Sequence, residues 1–324
     1  MNIITAASAI SYAHSKLILS GEHAVVYGYP AIAIPFPLNI NILVNYRPGN
    51  IRINSKIYSG YIDNIPDSMR GIGESVKETF RMLKESAKDI EIIIDSNVPL
   101  GRGLGSSAAV VTAITRGIFK YFDYQYTNED LYKIVKIGES YAHGKPSGID
   151  MMAVASDMPI VFKKQEGASS FHVKKQQIFV VCDSGKIGNT KQAVQLVKDR
   201  YIADTSNISI VLEHIGAITN EVKESLMIGD SKQLGTLLYE NHVELRKLGV
   251  SNEMLDHLVE VSMDSGAQGA KLTGGGLGGC VLAVANTLDE ADRIAKKLVE
   301  EGAVASWYFS TDQNEIYKTY YKDK

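Results

Sequence analysis

Apolar and polar positions alternate in part over Ala31-Ile-Ala-Ile-Pro-Phe-Pro-Leu-Asn-Ile-Asn-Ile-Leu-Val44, which predicts a strand. Pro35 and Pro37 predict an edge or a bend within it. The first 60 residues as a whole read as strands. Over residues 69–87 the period changes, with Ile72, Val76, Phe80 and Leu83 at spacings of three and four, the mark of a helix. Asp89-Ile-Glu-Ile-Ile-Ile-Asp95 returns to strand, and a glycine-rich turn leads into an apolar helix over about 106–122. Thr127-Asn-Glu-Asp130 resembles a capping box and opens a helix to about His143. Thr287-Leu-Asp-Glu290 is a better one and opens a helix to about Glu301. Residues 159–162 and 178–182 read as strands, 190–264 as mainly helical, and 269–273 and 280–285 as short strands around a glycine cluster. A final strand is expected over 304–309. Strands, then long helices, then strands again predict an α+β fold rather than a doubly wound parallel sheet.

The 324 residues suggest two domains, here 1–160 and 161–324, with no long linker or fixed-period repeat to mark the join. A composition of 45% hydrophobic, 8% aromatic and 22% charged residues excludes a mostly disordered chain. The net charge of −3 comes from 34 basic and 37 acidic residues, and the basic ones are dispersed, so nucleic-acid binding is not the expected function. The most apolar stretch, over 24–44, is broken by Gly28, Pro30, Pro35 and Pro37, so no membrane span is expected. Only two cysteines, Cys182 and Cys280, lie far apart, which suits a reducing cytoplasm and excludes a cysteine-based zinc cluster. The first 15 residues carry no Lys or Arg, so no secretory leader is expected.

Four segments carry the chemistry. In Pro99-Leu-Gly-Arg-Gly-Leu-Gly-Ser-Ser-Ala-Ala109, Gly101, Gly103 and Gly105 stand between a strand and a helix. Glycines let backbone N–H groups converge, and a helix start adds unpaired donors, so the segment reads either as an anion cradle or as a tight turn. It is not a Walker A loop, because Gly-Lys-Ser/Thr is absent. Ser106 and Ser107 can reach a phosphate-bound Mg²⁺, or simply cap the helix. In Lys271-Leu-Thr-Gly-Gly-Gly-Leu-Gly-Gly-Cys280, Gly274, Gly276 and Gly279 match G-x-G-x-x-G in letter only. The match runs into a strand, so the dinucleotide context fails. A close backbone approach, to a ligand or to another loop, and a sharp hairpin remain as readings.

In Lys16-Leu-Ile-Leu-Ser-Gly-Glu-His-Ala-Val-Val-Tyr-Gly28, an apolar strand begins at a lysine and ends in Glu22 and His23. Charges at strand ends reach a ligand without being buried alone, though each residue singly fits a solvated or capping role. In Glu139-Ser-Tyr-Ala-His-Gly-Lys-Pro-Ser-Gly-Ile-Asp150, two carboxylates flank a turn and can share a site. One would bind metal and the other accept a proton; Asp150 fits a helix cap as well. His143 has no evident partners for a zinc site.

Together the segments resemble the GHMP kinase superfamily, whose three motifs occur here in order over nearly the whole chain. Gly21-Glu-His-Ala-Val-Val-Tyr-Gly28 and His143-Gly-Lys-Pro-Ser-Gly-Ile-Asp150 are most similar to its mevalonate-phosphorylating branch. Asp183-Ser-Gly with Asn189-Thr-Lys191, and Asn241-His with Leu248-Gly-Val-Ser251, match further family segments. The chain departs at Ala13-His-Ser-Lys16, where the family has Ala-Pro-Gly-Lys, and at Arg102, where a small residue is usual.

The resemblance implies a ribosomal S5 domain 2-like N-terminal domain and a ferredoxin-like C-terminal domain. It implies ATP-dependent phosphorylation of the 5-hydroxyl of (R)-mevalonate, with Mg²⁺ as cofactor. Gly101, Arg102, Gly103, Leu104, Gly105, Ser106, Ser107 and Ala108 would bind ATP phosphates; Ser107 and Glu139 would hold the metal. Asp150 would accept or orient the hydroxyl proton, with Lys16 near it to keep it ionised. Glu22, His23, Thr190 and Gly275 would contact mevalonate. A homodimer is common in that branch. Two alternatives stay open: another small-molecule kinase of the superfamily, acting on phosphomevalonate, homoserine, a sugar or the 3-hydroxyl of mevalonate, and a nucleotide-binding regulator without catalysis. Lys16, Glu139 and Asp150, usually lost in degenerate members, are all present here.

Overall fold

The computed structural model describes residues 8–143, 147–312 and 315–322, with the side chains of residues 142 and 143 left out. Backbone contacts divide the chain into two compact units. The first comprises Met1–Ser15, Leu38–Val98 and Gly105–Ala155; the second comprises Lys16–Pro37, Pro99–Leu104 and Ser156–Lys324.

The first unit contains part of β1 (Ser8–Ser20), part of β2 (Ala31–Asn50), β3 (Arg52–Asn54), β4 (Ser59–Tyr61), α1 (Arg70–Leu83), β5 (Lys88–Ser96), α2 (Ser106–Tyr121), α3 (Asn128–His143) and α4 (Ile149–Val154). Its sheet runs β4-β3-β5-β2, with β5 antiparallel to β2 and parallel to β3. Alternation along β5 buries Ile90, Ile92 and Ile94, and Ile92 and Ile94 pair with Val44 and Ile42. Val76, Phe80 and Leu83 form the buried stripe of α1, and Phe80 meets Phe122 edge-on at 5.6 Å. Pro35 and Pro37, where the sequence predicts an edge or a bend, lie inside β2 at the place where it changes partner. Ala31–Ala33 pairs with a later strand and Ile40–Asn50 with β5, so both prolines fall between these two pairings.

The second unit holds β6 (Ile160–Lys163), β7 (Gly167–Ser170), β8 (Ile178–Asp183), α5 (Thr190–Ala203), α6 (Thr205–Ile228), α7 (Ser231–Lys247), α8 (Glu253–Asp264), β9 (Gly269–Thr273), β10 (Cys280–Ala285), α9 (Leu288–Glu300), β11 (Ala305–Ser310) and β12 (Ile316–Tyr321). Its main sheet has the order β12-β11-β8-β10-β9, antiparallel throughout. Strands β8, β9, β10 and β11 are buried along their whole length. One face packs Val180, Cys182, Val281 and Ala283 with Leu258 and Ile294 of the helices. On β8 and β11, Phe179 and Phe309 meet with tilted rings at 5.7 Å, and Phe36 meets Phe309 at 5.2 Å. Burial on both faces explains why β8 and β10 read as mainly apolar runs instead of alternating.

The fold is of the expected α+β class. The sequence reading passes over α4, β7 and β12. It also ranks the capping boxes in the wrong order. Thr127 N–H donates to Asp130 Oδ2 at 3.0 Å and Asp130 N–H to Thr127 Oγ1 at 3.2 Å, a reciprocal box. At the other site Glu290 N–H donates to Thr287 Oγ1 at 3.1 Å, but the Glu290 carboxylate accepts from Asn286 instead, at 3.0 Å.

Candidate active site

Two segments from the N-terminal half, Lys16–Pro37 and Pro99–Leu104, belong to the second unit and bring several of the expected site residues with them. Lys16, Glu22, His23, Gly101, Arg102, Gly103 and Leu104 therefore share a unit with Thr190 and Gly275. Strand β1 runs unbroken through Ala13-His-Ser-Lys16, so this chain has no turn where the family has Pro-Gly. Lys16 is 1% exposed and Glu22 2%, so neither is a solvated strand-end charge. Glu22 pairs with Lys271 Nζ, which also donates to Leu272 O at 2.7 Å.

His23 has φ of 62° and ψ of −45°, a positive-φ conformation that a non-glycine residue adopts only under constraint. Its Nε2 lies 2.9 Å from Gly275 O. A carbonyl only accepts, so Nε2 carries the proton and Nδ1 is left as an acceptor. Burial, opposed by that bond and reinforced by Lys271, holds His23 well below 6.5, at about 4, so the ring is neutral near pH 7. A Cβ on Gly275 would lie 2.8 Å from Thr190 Oγ1. His23, Thr190 and Gly275, distant in sequence, thus form one cluster.

Gly101, Gly103 and Gly105 have φ of 68°, 76° and 72°, the left-handed region that glycine enters without steric cost. Gly188 N–H donates to Gly101 O at 2.9 Å and Lys16 N–H to Leu104 O at 3.0 Å. Arg102, read from the sequence as a further phosphate contact, donates through Nε to Asp183 Oδ2 at 2.8 Å and through Nη2 to Gly185 O at 3.1 Å. The N-cap of α2 is Gly105, which has no side chain, so Ser106 and Ser107 stand inside the first turn and neither is the N-cap. The helix start keeps its N–H donors and positive dipole end for a ligand.

Gly274–Gly279 is the loop of a β9–β10 hairpin, closed by the pair Thr273↔Cys280. It is also the close approach to another loop. A Cβ on Gly274 would come 3.0 Å from Gly103 O, and one on Gly103 would come 3.3 Å from Thr273 O. The two glycine clusters face each other because neither has side chains in the way.

Ser107, Ala108, Glu139 and Asp150 lie in the first unit. Glu139 is 2% exposed and follows Gly138, where a Cβ would meet Val111 Cγ2 at 2.8 Å. That glycine lets α3 close on α2 one turn beyond Ser107. The N-cap of α4 is Gly148 (φ 98°), so Asp150 sits in the first turn and is not the cap. Residues 144–146 and the side chain of His143, considered above as a zinc ligand, lie outside the described residues. Among the described residues no three His, Cys, Asp or Glu side chains gather as a metal cluster. Hydroxyl and carboxylate oxygens such as those of Ser107 and Glu139 fit Mg²⁺, which takes one or two carboxylates and completes its shell from water and substrate phosphates.

Sequence reasoning missed Lys271, Thr273 and Asp183 as functional candidates. Thr273 Oγ1 donates to Ile18 O at 2.9 Å and accepts from Ile18 N–H at 3.2 Å, strapping β9 to β1. The signal was present: a lysine within a short strand flanked by Ala270 and Leu272 needs a partner if that strand is buried.

This glycine-cradled helix start, with its neighbouring carboxylates, agrees with what the chain resembles. The model for the GHMP kinases N terminal domain matches residues 74–157, and that for the GHMP kinases C terminal domain matches residues 222–304. The chain belongs to the GHMP kinase family. Its curated relatives include the mevalonate kinase of Thermococcus sibiricus, 32% identical over 297 residues that cover 85% of this chain and 89% of that protein. The mevalonate kinase of Pyrococcus horikoshii is 33% identical, covering 85% and 88%. The crystal structure of L. major mevalonate kinase in complex with R-mevalonate matches with a TM-score of 0.83 at 26% identity, covering 93% of this chain and 95% of that one. Among the described residues no helix is long and apolar enough to cross a membrane.

Proposed function

We infer that the protein transfers the γ-phosphoryl group of MgATP to the 5-hydroxyl of (R)-mevalonate, giving 5-phosphomevalonate and ADP. What carries the reading is the extent of the likeness to mevalonate kinases, 85% of this chain and 89% of the Thermococcus relative, far more than a shared nucleotide-binding segment.

Phosphoryl transfer needs positioning and charge stabilisation more than covalent chemistry. The backbone N–H groups around Gly103, Gly105, Ser106 and Ala108 cradle the phosphates. Gly101 and Leu104 hold the loop through their carbonyls, and Arg102 serves the phosphates indirectly, by fixing that loop to Asp183. Ser107 and Glu139 would hold Mg²⁺, which would supply positive charge against that of the phosphates. Asp150 accepts or orients the proton of the attacking hydroxyl, and Lys16 supplies a cation that steadies the phosphoryl group. Neutral His23 offers Nδ1 to a mevalonate hydroxyl, with Glu22, Thr190 and Gly275 completing the contact set. The reaction is read as cytoplasmic, supported by two buried free thiols. Burial pushes the Cys182 thiol up to about 12 and so makes it inert to oxidation.

The test is ADP release from MgATP with and without (R)-mevalonate, with the phosphorylated position read by NMR of the product. Mevalonate-dependent turnover at the 5-position is expected. ATP binding without it would remove mevalonate as substrate and direct the assay to phosphomevalonate, homoserine and sugars. Light scattering tests the accompanying expectation of a homodimer against the 35.4 kDa chain mass.

A further inference from the structure

Lys271 and Thr273 are two residues apart on β9, so both project from the same face of the strand. Both reach the segment that carries Lys16, Glu22 and His23: Thr273 grips Ile18, and Lys271 grips Glu22. Lys271 is fully buried. An apolar residue would pack there without the desolvation cost of an ammonium group, so packing alone does not account for it. Its partner is informative. Glu22 gives Oε1 to Lys271, while its Oε2 is buried and has no hydrogen-bond partner among the described residues. A buried carboxylate oxygen without such a partner can accept a hydrogen bond from a ligand.

Charge decides what that donor belongs to. Glu22 alone would repel a substrate bearing a carboxylate. Paired with Lys271 it is neutral as a unit and still accepts through Oε2. His23 beside it is neutral and adds no charge.

We propose that Lys271 is a specificity-determining positioning residue: it neutralises and orients Glu22 so that Oε2 accepts a hydrogen bond from a hydroxyl of a substrate whose carboxylate is not repelled. The proposal rests on the reading of Glu22 as a mevalonate contact. It assigns the site to hydroxy acids, and makes Lys271 the reason that the acid is tolerated beside an acidic side chain.

The experiment compares kcat/KM for (R)-mevalonate with that for 3-methylpentane-1,3,5-triol, which keeps the hydroxyls and lacks the carboxylate. Lys271→Met is expected to raise KM for mevalonate about tenfold, to leave KM for ATP within about twofold, and to lower the mevalonate-to-triol ratio about tenfold. Adding Glu22→Gln to Lys271→Met removes the exposed negative charge and should return the ratio toward that of the wild type. Glu22→Gln alone, nearly isosteric, leaves Lys271 cationic and should shift the ratio further toward mevalonate; it carries the test if Lys271→Met does not fold. Equal losses on both alcohols, or an unchanged ratio in Glu22→Gln, would overturn the assignment while leaving the kinase reading intact. A wild-type protein that binds ATP but does not turn over mevalonate would overturn the kinase reading, and this assignment with it.

Discussion

Arg102 Nε donates to Asp183 Oδ2 at 2.8 Å, tying the tip of the first glycine loop to the end of strand β8. Asp183 keeps its other oxygen for the N–H of Gly185 at 2.8 Å, so the carboxylate is fixed before it grips the guanidinium. The side chains are 15% and 5% exposed, which puts the pair beyond most solvent screening. Arg102→Met should raise KM for ATP by about tenfold, the order expected for one charge-assisted hydrogen bond, with a smaller change in KM for mevalonate. Asp183→Asn should do the same, and the double variant should be little worse than either single one. Steady-state kinetics at varied ATP checks this; additive losses would mean that the two residues act separately.

Asp150→Asn should lower kcat by about 10²–10⁴-fold with KM for ATP nearly unchanged, as for loss of a general base. Single-turnover kinetics separates that effect from product release. Near-normal turnover would remove Asp150 from the role.

Glu139→Gln should increase the Mg²⁺ concentration needed for half-maximal turnover, because a carboxylate oxygen is a better ligand for a hard cation than an amide. Excess EDTA should abolish turnover in the wild-type protein, and added Mg²⁺ should restore it. A Mg²⁺ titration unchanged in the variant would take Glu139 out of the ligand set.

His23 is held from 6.5 to about 4, chiefly by burial, and His242 likewise to about 4. Between these values the unfolded chain takes up protons that the folded protein excludes. The stability from the two neutral rings is complete above pH 6.5 and is lost as pH falls through this window toward 4. His23→Gln, whose amide can still donate to Gly275 O, should flatten the fall of Tm across that window. An equal slope in both proteins would show that His23 titrates normally.

Gly276 and Gly167 have nearly the same φ, 80° and 82°, but different surroundings. A Cβ on Gly276 would lie 2.2 Å from Val250 O, whereas one on Gly167 meets nothing within 4 Å. Gly167→Ala should cost only the left-handed backbone penalty, roughly 1–2 kcal/mol. Gly276→Ala should cost more than about 3 kcal/mol, since backbone must move as well. Thermal unfolding of the pair separates strain from collision.

What the sequence made legible follows from where side chains go. Strands β9 and β10 could be bounded because the glycine run 274–279 separates them. Strand β12 was missed because Ile316-Tyr-Lys-Thr-Tyr-Tyr321 is an edge with half-exposed residues and no apolar face. It is held by Asp292, which accepts from Tyr320 Oη at 2.7 Å, Tyr308 Oη at 3.0 Å and Lys318 Nζ at 3.2 Å, a contact that no periodicity announces. Helix α4 was missed because six residues carry too little pattern. The family motifs singled out Lys16, Glu22 and His23, but not Lys271, which a motif reading treats as the flank of a glycine run. Its pairing with Glu22 spans 249 residues, and local pattern says nothing at that range.

That separation has a consequence for synthesis. The Ile18–Thr273 strap and the Glu22–Lys271 pair join positions 255 and 249 residues apart. At about 5–20 residues per second, a ribosome delivers Lys271 roughly 10–50 s after Glu22. Throughout that interval Glu22 and His23 lack their native partners Lys271 and Gly275. The chemistry encoded first is thus among the last to be assembled, and a nascent chain stalled before residue 271 would hold ligands for neither the hydroxyl nor the acid.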